Sequence, residues 1–202
     1  MNRKTAFLIC STVLLSTNIS ILTRIYADEK QTVNTSKIVD GKEESFTDET
    51  IESNTVDTSV ICNQNGGTVT INKNTLHKSG DTNNEGGKNA VVFTTGSSFT
   101  KIDQSDLQST SKGSSGIVAN EKAMVYANDS SIMTSNDSAN GLEAYSNGQI
   151  IANKMDITTQ GNQSAAVYAK QNDGSISLTN STLSTDGNNA PLLYANGTIE
   201  VD

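Results

Sequence analysis

The 202-residue chain has no tryptophan, a single proline and only 4% aromatic residues, and its hydrophobic share is 34%. A chain so short of large apolar side chains cannot fill a thick globular core. It can fill a thin, repetitive one, because each turn of a solenoid buries its apolar face against the next. Histidine occurs once, at His77. That excludes a histidine-based metal cluster and leaves any nucleophile triad dependent on one residue, which reads as a solvated turn position after Leu76. Arginine is confined to Arg3 and Arg24, and cysteine to Cys10 and Cys62.

The N-terminus reads as a secretory signal peptide over residues 1–27. Asn2-Arg3-Lys4 supplies positive charge, Ala6 to Leu22 is apolar with polar dilution, and Ile25-Tyr26-Ala27 offers a small residue before Asp28. The dilution argues against an uncleaved anchor, since a spanning helix needs about 20 predominantly apolar residues. Cys10 precedes most of the apolar stretch, which argues against a lipid anchor there. Past residue 27 the chain holds eleven lysines, no arginine and twenty-two acids, a net charge of −11. Nucleic acid and anionic lipid are therefore poor partners, because both require clustered positive charge. The expected contact with membrane is limited to export. Cys62 is left alone, so no intramolecular disulfide can form, and it reads as a small buried hydrophobe in the first coil.

Residues 28–58 carry nine acids against three lysines, with no apolar period. They read as an acidic linker or disordered segment. From residue 59 the composition changes to Gly, Asn, Ser and Thr with short runs of Val, Ile and Leu, the vocabulary of strands and turns. Leu76, Leu107, Ile132, Ile157 and Leu183 stand 31, 25, 25 and 26 residues apart, and the long step contains the polar insert Gly80 to Lys88. Other columns fall into the same register. They are Val69/Thr100/Val125/Ile150/Ile176, then Ile71/Ile102/Ala127/Ala152/Leu178, and the small residues Gly67/Ser98/Ala123/Gly148/Gly174. A third apolar pair precedes each block: Val91 and Phe93, Ile117 and Ala119, Leu142 and Ala144, Val167 and Ala169, Leu193 and Ala195. This pattern predicts an all-β parallel β-helix of five to six coils over residues 59–202. Each coil would have about 25 residues and three short strands, giving a rod roughly 25–30 Å long. A β-sandwich would need larger core residues and would not explain the register.

One polar column, Asn72, Asp103, Asn128, Asn153 and Thr179, predicts a structural amide row at a coil corner. Asp103, if charged, fits such a row worst.

The repeats resemble those of bacterial adhesin-like, autotransporter-passenger-like β-helix proteins. The segments that carry the resemblance are Asn140-Gly141-Leu142-Glu143-Ala144-Tyr145-Ser146-Asn147-Gly148, Ser175 to Thr185 and Ala190 to Gly197. The resemblance spans about residues 60–202. It implies a right-handed, three-strand helix on or released from the cell surface, and it transfers no functional residue. The chain stops as a strand begins, with no anchoring signal or cap, which reads as truncation or, as the alternative, end-to-end association through an open C-terminal coil.

The search for chemistry returns no catalytic residue, cofactor or metal. Asp106 and Asp156 share a column, but they lie two coils apart with Ser131 between them, a poor fit to a hydrolase pair. Lys101, Lys122, Lys154 and Lys170 form no visible column with acids. No calcium nonapeptide or EF-hand loop occurs. Tyr168 and Tyr194 share an outward column with Val118 and Glu143 and form the candidate ligand contact. The expectation is a secreted or cell-surface, non-enzymatic protein with a binding or structural role toward a host, matrix or polysaccharide ligand. The alternative is a carbohydrate-active β-helix, either a polysaccharide-binding module or a degenerate lyase.

Overall fold

Strand-forming pairs of apolar residues two apart, separated by turn formers, place the chain on three faces of a coil. The computed structural model describes residues 32–34, 36–82, 87–170 and 173–202, the first three in backbone only. The signal-peptide expectation for residues 1–27 lies outside them.

After β1 (Thr32–Asn34), coil one contains β2 (Lys37–Asp40), β3 (Glu43–Thr47) and β4 (Thr50–Ser53). Coil two contains β5 (Ile61–Gln64), β6 (Thr68–Asn72) and β7 (Thr75–Lys78), and coil three β8 (Val92–Thr94), β9 (Phe99–Asp103) and β10 (Asp106–Ser109). In coils four and five the second and third strands run on through the corner. These coils comprise β11 (Ile117–Ala119) with β12 (Met124–Thr134), and β13 (Leu142–Ala144) with β14 (Gln149–Thr159). Coil six contains β15 (Val167–Ala169), β16 (Ser175–Thr179) and β17 (Thr182–Thr185), and β18 (Leu193–Ala195) and β19 (Thr198–Val201) follow. First strands form a seven-stranded sheet, and second and third strands form a bent twelve-stranded one. Every pairing is parallel, so the fold is a parallel β-solenoid of about six turns.

The inward columns follow the expected register. Leu76, Leu107, Ile132, Ile157 and Leu183 are paired in succession, as are Val69, Thr100, Val125, Ile150 and Ile176. Most of these side chains are fully buried, and burying a Val, Leu or Ile is worth about 1.5–3 kcal/mol. Tight stacking at the turns demands glycine at Gly161, where an added Cβ would lie 1.9 Å from the Asn136 carbonyl oxygen.

Four expectations need correction. Residues 37–53 are a full coil, not a linker: Ile51 pairs with Leu76 and Phe46 with Ile71, both buried. The acids conceal the period because most point outward, while Glu44 occupies the inward column of Val69 at the end of the stack and pairs with Lys42. In coil three the inward pair is Val92 and Thr94, not Val91 and Phe93. Three consecutive apolar residues leave the alternation ambiguous, and a one-residue slip turns each side chain to the other face. Cys62 consequently lies on the outward side, half-buried beside Phe93, and burial raises its thiol pKa. His77 sits on strand β7, half-exposed, rather than in a turn.

The polar row forms along the axis. The Asn153 Nδ2 donates to Asn128 Oδ1 at 2.7 Å, and the Asn128 Nδ2 donates to Asp103 Oδ1 at 2.7 Å. The Thr179 hydroxyl donates to Asn153 Oδ1 at 3.0 Å. Asp103 therefore fits as the terminal acceptor, a place that asks for no donor. Behind this row runs a second one. Ser105, Ser130 and Ser181 each donate to the carbonyl two residues back and accept an N–H from the preceding coil. Between the rows, Asp48, Lys73, Gln104, Asp129, Lys154 and Asn180 all have φ between 46° and 55°, the left-handed conformation that makes the corner.

A second inward position also holds a charge. Lys78 is fully buried, its Nζ donating to the carbonyls of Gly80 at 2.8 Å and Thr55 at 3.0 Å. Burial lowers its pKa to about 8, against the opposing pull of Asp81 and Asp57. Between about pH 8 and the ordinary lysine range, the unfolded chain holds a proton here that the folded chain has released. The stability contribution of Lys78 therefore rises with pH across that window. Denaturant titrations should show wild type gaining on Lys78→Met from pH 8 to 10. A gap constant over that range would refute the assignment. In the amide row, Asn128→Asp should cost about 1–3 kcal/mol at pH 7, by losing a donor and facing Asp103. The loss should shrink below pH 4, where protonation restores the donor.

Candidate functional site

The flank between the first-strand sheet and the turns that lead into it is a groove of about 720 Å³. Its outer wall is a row of left-handed turn tips, Gly113, Ser138, Gln163 and Asn189, one per coil. Their backbone stacks through N–H to C=O bonds: Gly113 to Asp137, Ser138 to Asn162 and Gln163 to Asn188. The floor is a second column, Ser115, Asn140, Ala165 and Pro191, and the inner wall is Glu143, Tyr168 and Tyr194. Thr82 and Gly87 of the coil-three insert stand at the N-terminal end. There Gly87 is seated closely enough that a Cβ would lie 2.9 Å from the Tyr145 hydroxyl and from Val118.

Glu143 is the charged centre. Its side chain is 4% exposed, and Oε1 lies 2.7 Å from the Lys170 ammonium. Oε2 accepts from the Ser115 hydroxyl at 2.8 Å and from Asn140 Nδ2 at 3.0 Å. Asn140 also accepts the Ala165 N–H at 2.9 Å, which ties this network to the next coil. Lys170 lies over two rings, 5.2 Å from the Tyr168 centroid and 5.5 Å from that of Tyr145, a cation–π arrangement. The Tyr145 phenol is pushed well above its ordinary pKa by burial first, then by Glu143 and Glu121.

The structure brings Tyr168 and Tyr194 together, their rings stacked at 4.7 Å with 29° between planes. Glu143, which holds Lys170, belongs to the coil before Tyr168, and Tyr194 to the coil after it. The Tyr168 ring is thus contacted by both Lys170 and Tyr194, while Tyr194 is 46% exposed. The Glu143–Lys170 pair was not visible as a column, because Lys170 follows its strand and reaches back across a coil. Asp106 and Asp156 lie on the bent sheet and do not line this groove, and Asp106 accepts from Ser131 and Gln108, both at 2.6 Å. Among the described residues, no group of three or more His, Cys, Asp or Glu side chains could hold a metal ion, and no helix is long and apolar enough to cross a membrane. Comparison of the chain with protein-family models, curated proteins and solved structures returned no match.

Removing Glu143 leaves the half-buried Lys170 unpaired and two polar groups without their acceptor. Glu143→Ala should cost about 2–4 kcal/mol in denaturant unfolding, and Glu143→Gln, which keeps an acceptor oxygen, less than half of that. Equal losses would mean that charge has no part in the network.

Proposed function

We propose that this is an exported, adhesin-type β-solenoid that binds a host, matrix or polysaccharide ligand along its flank without chemically altering it. The saturation of Glu143 carries the non-enzymatic reading. A glycosidase uses two carboxyl groups about 5–9.5 Å apart, one of them poised to move a proton. Among the described residues lining the groove there is one carboxylate, and both its oxygens are held by Lys170, Ser115 and Asn140. Export rests on the charged, apolar and small-residue order of residues 1–27, and the adhesin assignment on the likeness of the repeats. The acidic balance of the chain favours uncharged or basic partners over nucleic acid.

Produced from its full chain in a bacterial host, the protein is expected outside the cytoplasm with Asp28 as its first residue. It should bind saturably to at least one class of immobilised matrix protein or glycan, with no release of fragments. Retention inside the cell with an intact N-terminus would overturn the export reading, and product release would overturn the non-enzymatic one.

A further inference from the structure

The geometry points to a ligand class for this groove: a neutral, linear glycan lying parallel to the solenoid axis, about one sugar ring per coil. This rests on the binding reading above and narrows it.

The first argument is exclusion. Of the strands flanking the groove, β11, β13 and β15 have hydrogen-bonded neighbours on both sides and β18 only on one, so an extended peptide finds an open edge at the C-terminal end alone and none along the groove. Recognition must come from side chains. Those on offer at the rim are hydroxyls and carboxamides (Ser138, Gln163, Asn189), groups that donate and accept at once. Sugar hydroxyls require the same capacity.

The second argument is periodicity. Floor and rim positions recur at the coil rise of about 4.8 Å, close to the length of one ring in an extended β-linked glycan. The four floor positions Ser115, Asn140, Ala165 and Pro191 thus mark out about four ring sites. Pro191 is exposed and apolar and suits the C–H face of a pyranose, with the exposed Tyr194 on the facing wall. Ser115, Asn140 and Glu143 make the other end polar.

The third argument is charge. Glu143 is neutralised by Lys170, the exposed Lys112 at the N-terminal end lies beside Asp81, whose carboxylate accepts its backbone N–H at 2.8 Å, and the whole chain carries −8, which disfavours polyuronates at long range.

Calorimetric titration of the secreted full-length product with neutral β-linked oligosaccharides of two to six rings, and with oligogalacturonates, tests this. Affinity for at least one neutral series should rise with length to about four rings and then level off. Gln163→Ala and Asn189→Ala, both at exposed tips, should each weaken binding about three- to tenfold. Thr158→Ala, outward on the bent sheet, should leave it unchanged. Length-independent binding, a preference for galacturonates, or indifference to both tip substitutions would overturn the inference. If a matrix protein binds and no oligosaccharide competes, the glycan inference falls and the binding reading stands. If neither binds, both fall.

Discussion

Parallel backbone hydrogen bonding between residues about 25 positions apart is the constraint from which the rest of this structure follows. A parallel ladder keeps each residue beside its counterpart in the next coil, so whatever one coil places inside, its neighbours must match. Hence Leu stacks on Leu or Ile, amide on amide, and serine on serine. Extra residues are tolerated only in turns, where Gly80 to Lys88 is accommodated while Leu76 and Leu107 remain paired.

The same rule builds the groove. A notch between a strand and a turn in one coil becomes a trough when repeated, and its columns inherit the regularity of the core. Specific chemistry then arises where the repeat is broken. Glu143 stands in a column with Val118 before it and Tyr168 after it, and Lys170 reaches back to it. One charged pair in an otherwise neutral stack is enough to organise Ser115, Asn140 and two tyrosine rings.

This explains what could be read from residues alone. The inward columns from Val69 to Leu183 were legible because apolar identity repeats with fixed spacing. Coil one was hidden by outward acids and by Glu44 at an inward position, and the Val91-Val92-Phe93 run concealed its own alternation. Tyr168 and Tyr194 were legible as neighbours, since they share a strand column. Their link to Glu143 was not, because it runs through Lys170, whose partner lies across a coil boundary at a different strand position. Lys78 was illegible for a related reason: its column is otherwise small and polar, and its partners are carbonyls of loops.

The corner row of Asn153, Asn128 and Asp103 has one further property. Each amide points its N–H toward the N-terminal coil and its carbonyl toward the C-terminal coil. The side-chain dipoles therefore add, as peptide dipoles do along a helix, with the positive end at coil three. Asp103 holds that end, the counterpart of an acid at a helix N-terminus. The solenoid thus has an electrical direction as well as a chain direction, written by side chains in a sheet whose backbone contributes almost none.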